Sequence, residues 1–197
     1  MIDLLVVLGG MFAAVSPFGA LAAVLWYRRD SAATGATDPL DVRRLMLLSA
    51  TAAFVVLAGA ALIGGPLLDA FAITDSTFEF AAAAAMVPLA IRLIVAGDSM
   101  AALRRRVPEY AWLFPFSVPL LASPTSVITA ISYGQRIGAI ETIIATAIAL
   151  VVTAGLFATL AFWEQQRLLV VQMLGRASGV LLAGLALEMA LDGLRAI

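Results

Sequence analysis

Six apolar runs, each about as long as the ~20-residue helix that crosses ~30 Å of hydrocarbon, fill nearly all of this 197-residue chain. We place them at 2–27, 45–63, 77–96, 111–132, 140–163 and 168–194, with most charges lying between. In lipid a backbone must satisfy its own hydrogen bonds, which leaves helices or closed barrels as spanning structures. Runs of this length predict helices. The chain is 63% hydrophobic with a mean hydropathy of +1.05, too apolar for a soluble domain of this size. The expected fold class is an all-α integral membrane protein with six transmembrane helices.

The remaining composition excludes several function classes. A net charge of -1 offers no basic surface for nucleic acid. All 12 cationic side chains are Arg. With no His and no Cys, disulfides, imidazole or thiolate metal sites and Ser-His or Cys-His catalysis are ruled out. No cofactor is expected and the chain does not read as an enzyme. The opening Met1-Ile2-Asp3 lacks a positive n-region, so the first run reads as a retained span rather than a signal peptide.

Between the spans, residues 28–44 form the most polar stretch, where Asp38-Pro39 reads as the start of the second helix. Gly64-Gly65-Pro66 reads as the end of that helix. Arg28, Arg29, Arg43, Arg44, Arg104, Arg105, Arg106 and Arg167 fall on one side, against Arg136 and Arg195 on the other. The positive-inside rule then puts the first set in the cytoplasm and both termini outside. The halves also resemble each other. VSPFGALAAV at 15–24 parallels ASPTSVITAI at 122–131, and LAIRLIVAG at 89–97 parallels LALEMALDG at 185–193. Three spans per half is an odd number, so the second half runs the opposite way. The expected organisation is two inverted three-helix repeats, 1–97 and 111–197, joined by a cytoplasmic linker at 98–110.

The repeat brings Ser-Pro to the middle of spans one and four, breaking helices 1 and 4 at mid-membrane. Proline inside a helix loses a hydrogen bond and clashes with the preceding turn. Ser followed by Pro is also how a new helix begins, with Ser as N-cap and Pro at the first helical position. Half-helices starting at Pro17 and Pro124 would leave unpaired N–H groups near Phe18 and Gly19, and near Thr125 and Ser126. A carboxylate suits such donors. Ser16, Pro17, Phe18, Gly19, Ser123, Pro124, Thr125 and Ser126 are therefore the candidate substrate-binding residues, for a small anionic or zwitterionic solute. The blander reading is that Pro kinks are common in membrane helices, with neighbouring Ser and water satisfying the freed backbone.

Arg92 and Glu188, at matching repeat positions, are charges within spans and candidates for gating or coupling. They should lie at opposite depths and not pair, and Arg92 can snorkel. Glu79 reads as interfacial. The alanines at 81–85 read as a face for close helix packing. Trp26, Tyr27, Tyr110, Trp112 and Trp163 read as interfacial anchors. The arginines at 104–106 suit a stop-transfer role or anionic lipid heads.

These motifs resemble the MarC family, the multiple-antibiotic-resistance-related membrane proteins. Ser16-Pro17-Phe18-Gly19 is similar to the family's Asn-Pro-x-Gly break. The run from Pro115 through Pro119 to Ser123-Pro124-Thr125 is similar to its second break, a Gly-Pro-Gly-like motif preceded by Pro-Leu-Ala-x-Pro. Asp69-Ala70-Phe71-Ala72-Ile73 looks like its Phe-Gly-Ile turn, and Met189-Ala190-Leu191-Asp192-Gly193-Leu194 like its terminal span. Here Ser16 replaces the family's Asn, and Ser123 and Thr125 replace the second break's glycines. The resemblance implies a six-span, three-plus-three protein of bacterial cytoplasmic membranes, with members linked to transport of small neutral amino acids. Two functions are carried forward. One is a secondary transporter or exporter of small neutral amino acids or other carboxylate-bearing solutes. The other is a non-transporting membrane scaffold or partner protein. The lipid bilayer is a partner in either case, and a homodimer is permitted.

Overall fold

The computed structural model describes residues 2–15, 17, 39–96, 121–160 and 168–195. All regular structure among them is helical: α1 (Ile2–Val15), α2 (Pro39–Ala70), α3 (Asp75–Ala96), α4 (Pro124–Arg136), α5 (Ala139–Leu160) and α6 (Leu168–Arg195). Four contain stretches long and apolar enough to cross a membrane: Met46–Ala70, Asp75–Val95, Ala139–Leu156 and Gly175–Arg195. The two short helices, α1 and α4, belong to the spans expected to be interrupted. Linker residues 98–110 lie outside the described residues.

The second helix corrects one expectation. Gly64-Gly65-Pro66 does not end it; the helix runs on to Ala70 with Pro66 inside it. The glycine serves packing instead. A Cβ on Gly64 would press on the Ile131 side chain of α4. A Cβ on Gly134 of α4 would lie 2.7 Å from the Ala61 carbonyl oxygen of α2. Each helix thus contributes a glycine where the other approaches. In lipid, association rests on such close packing, because lipid tails are as apolar as the side chains.

The true end of α2 lies in the turn after Ala70. Ile73 N–H donates to the Leu68 carbonyl at 2.9 Å, and Ala72 N–H to the Asp69 carbonyl at 3.0 Å. These two bonds form a Schellman cap, which places its C′ residue in the left-handed region. That residue is Ala72, with φ +53. The next helix then starts from Thr74, whose hydroxyl accepts from Thr77 N–H at 3.3 Å. At the other corner, α4 runs one turn beyond the expected boundary at 132, to Arg136. Gly138, with φ +107, turns the chain into α5.

The most extensive pairing joins α3 to α6. A Cβ on Gly193 would meet Ser76 and Phe80 at the start of α3, and one on Gly179 would meet Leu93 and Ile94 near its end. The two helices are therefore antiparallel and close along most of their length. Of the alanines at 81–85, Ala82 and Ala83 are buried in this core, whereas Ala81, Ala84 and Ala85 are exposed. Around the pair, α2 packs on α4 and α5, α1 on α4, α5 and α6, and α3 also on α4. Exchanging the first three spans for the last three leaves this set of pairings unchanged, apart from the sequence neighbours α4 and α5. The outward faces are apolar, as at Val55, Ile63, Val151 and Leu187, which suits a lipid surround.

An alanine in the left-handed region costs about 1–2 kcal/mol, partly offset by the flexibility that glycine adds to the unfolded chain. Ala72→Gly is expected to raise the melting temperature of the detergent-solubilised protein; a fall would show that the cap is not under strain.

Candidate functional site

The Ser-Pro break of span four has the local geometry read from the sequence. Ser123 is the N-cap of α4, with φ -68 and ψ 159, and Pro124 opens the helix. Ser123 Oγ accepts from Ser126 N–H at 3.1 Å. Proline at N1 has no N–H to leave orphaned, and the cap satisfies one of the remaining donors. The side chain works in the other direction as well. Ser126 Oγ lies within donating distance of two carbonyls, Leu121 at 2.9 Å and Ser123 at 3.0 Å. The Ser123 carbonyl also accepts from Val127 N–H at 3.0 Å, the first backbone bond of α4.

This junction also reaches the first break. α1 ends at Val15, one residue before Ser16. Ser123 Oγ and Thr125 Oγ1 each lie 3.4 Å from the Ala14 carbonyl oxygen, as weak donors. Ser123 Oγ is 2.6 Å from Thr125 Oγ1 and 2.9 Å from Ser126 Oγ. Three hydroxyls at the start of α4 therefore meet the Ala14 carbonyl of α1. Ala13, Ala14, Val15, Pro17, Leu121 and Ala122 enclose them and are all buried. The structure brings together Ser123, Thr125 and Ser126 of the predicted set and buries Pro17. Ser16, Phe18 and Gly19 lie outside the described residues.

From the junction a polar stripe follows one face of α4. Thr125, Ser126, Thr129, Ser132 and Tyr133 are buried, and Arg136 ends the helix. A spacing of three to four residues puts them on one side. Thr129 donates to the Thr125 carbonyl at 2.8 Å, the back-bond by which a helical hydroxyl satisfies itself. Helix α4 thus turns its polar side to the protein interior.

At the end of the stripe, Arg136 joins three helices. Its Nε donates to Glu79 Oε1 of α3 at 2.6 Å, and its Nη2 to Asp192 Oδ2 of α6 at 2.8 Å. Arg195 approaches Asp192 Oδ1 at 3.9 Å, and Gln135 Nε2 donates to Asp75 Oδ1 at 2.6 Å. Glu79 is buried. A carboxylate can be buried there because a guanidinium meets it directly. Arg136, Glu79 and Asp192 were not singled out for the site from the sequence. The recurrence of Ser126, Thr129, Ser132 and Arg136 at helical spacing was the available signal.

Arg92 and Glu188 are both exposed and do not pair. In the antiparallel α3–α6 pair, Glu188 is level with a point about 8 residues from Arg92, or ~12 Å along the axis. Glu188 lies instead beside Tyr133 and Arg136. Among the described residues no cluster of three or more Asp or Glu side chains is arranged to hold a metal ion.

Removing Glu79 leaves Arg136 with Asp192 alone. Glu79→Ala is expected to cost about 2–3 kcal/mol, below the ~3–5 kcal/mol of a fully buried pair because Arg136 is a third exposed. Asp192→Ala, at a wetter contact, is expected to cost about 1 kcal/mol or less. Thermal melts of the two variants in one detergent test this; equal losses would contradict it.

Searches of curated proteins and of solved structures give no match. The family comparison matches residues 3–197 to a single description, MarC family integral membrane protein. With six helices among the described residues, four of them containing membrane-length apolar stretches, and a match over nearly its whole length, the chain belongs to the MarC family of integral membrane proteins.

Proposed function

We propose that the protein is a secondary transporter of small neutral amino acids or similar carboxylate-bearing solutes, built as two inverted three-span repeats. The observation that carries this reading is the meeting of the two interrupted spans. Ser123 and Thr125 at the start of α4 reach the Ala14 carbonyl near the end of α1. Transporters of inverted-repeat architecture hold their substrates at such breaks, where helix termini and uncommitted backbone groups replace water. The pairing of helices, unchanged when the halves are exchanged, supports the repeat.

In this mechanism the substrate carboxylate binds at the start of α4, drawn by the partial positive charge of the helix end. The Ser123, Thr125 and Ser126 hydroxyls now serve one another and the carbonyls of Ala14, Leu121 and Ser123. On binding they turn to the carboxylate, and the Ala14 and Leu121 carbonyls that they release accept from the ammonium group of the amino acid, so no buried group is left unpaired. Ser16, Pro17, Phe18 and Gly19 are the further binding residues proposed from the sequence, Gly19 because it has no side chain to keep a ligand from the backbone. The buried hydroxyl face of α4 leads towards Arg136. Movement of one repeat against the other exposes the junction to each side in turn. In this reading the protein lies in a bacterial cytoplasmic membrane, and the positive-inside rule supports Arg136 and both termini facing outward.

Ligand that binds the native state alone raises its stability by linkage. Glycine, alanine, serine or threonine is expected to raise the melting temperature of the purified protein, and Gly19→Leu to abolish the rise while the protein stays folded. No rise with any member of the panel would favour the scaffold reading. A rise retained in Gly19→Leu would move the site away from the first break.

A further inference from the structure

A second polar site lies apart from the junction, in a water-sized cavity between α4 and α6, one turn inside Arg136. Ser132, Thr129, Tyr133 and Glu188 line it, with Leu185 and Met189 as its apolar wall. Ser132 is 4% exposed, and its Oγ is buried with no hydrogen-bond partner among the described residues. A buried hydroxyl left unsatisfied costs about 1–3 kcal/mol, so the cavity calls for an occupant. Tyr133 closes the side towards α1, its hydroxyl lying against Gly10.

The lining chooses the occupant's charge. Thr129 Oγ1 already gives its hydrogen to the Thr125 carbonyl, so it offers only lone pairs. Glu188 adds a carboxylate. Arg136 also borders the cavity, but Glu79 and Asp192 hold it at 2.6 and 2.8 Å. Three carboxylates against one guanidinium leave the neighbourhood negative, and Arg195, 78% exposed and 3.9 Å from Asp192, screens it little. The donors are hard oxygens, which disfavour soft metals. One carboxylate at the cavity is too few for Ca²⁺, and the space is too small for the hydrated shell that Mg²⁺ retains.

We propose that this cavity binds Na⁺, with Ser132 and Glu188 as its principal ligands and Thr129 contributing lone pairs. The ion would sit on the α4 stripe about 13 Å from Ser123, between the junction and the Arg136 ion pairs. Binding rests on this geometry alone. A role as coupling ion rests in addition on the transport reading above.

The test is the melting temperature of the full-length protein as NaCl replaces choline chloride at constant ionic strength, with KCl in parallel. A saturable rise with Na⁺, weaker with K⁺, is expected. Ser132→Ala and Glu188→Gln should each raise the half-saturating Na⁺ concentration on the order of tenfold or more. Without Na⁺, Ser132→Ala should be at least as stable as the parent, because it deletes an unpaired hydroxyl; this separates lost binding from lost folding. No Na⁺-specific rise in the parent, or a response unchanged in either variant, overturns the site. Na⁺ binding without any amino-acid response upholds the site and counts against transport. An amino-acid response without a Na⁺ response overturns the site and leaves transport standing.

Discussion

The first and fourth helices, distant in sequence, are joined where hydroxyls at the start of one meet a backbone carbonyl of the other. The Ala14 carbonyl near the end of α1 meets the hydroxyls of Ser123 and Thr125 at the start of α4, across 109 and 111 residues of sequence. Each contact is long and weak alone. Their weight comes from the alternative, since an unpaired backbone group in hydrocarbon costs several kcal/mol.

Close packing holds the helices together. Gly64 and Gly134 let α2 and α4 approach within backbone contact, while Gly179 and Gly193 do the same for α6 against α3. Glycines that would weaken a soluble helix are used here where a methyl group would force two helices apart. The lipid-facing sides stay apolar, and the polar groups of α4 are enclosed within the buried core.

The same helix links the proposed substrate site to a charged end. Hydroxyls at Thr125, Ser126, Thr129 and Ser132 run from the junction to Arg136, which ties α3, α4 and α6 together through Glu79 and Asp192. One short helix therefore carries a hydrogen-bonded cap, a stripe of hydroxyls and an ion-paired terminus. Glu188, flagged in the sequence only as a charge inside a span, gains meaning from its place beside Ser132 and Tyr133.

By itself the sequence determined the helical membrane class, the approximate spans and the start of α4 at Ser123-Pro124, because hydropathy and proline chemistry act locally. It misjudged Gly64-Gly65-Pro66, since a glycine reads as a breaker until the helix it must admit is known; Ile131 lies 67 residues away in the chain. It did not show that Glu79 is buried, because burial of a carboxylate depends on a guanidinium from another helix. Which carbonyl the Ser123 hydroxyl meets, which carboxylates hold Arg136 and which hydroxyl is left without a partner were decided by tertiary structure alone. Those contacts join residues distant in sequence, and their distances exist only once the helices have packed.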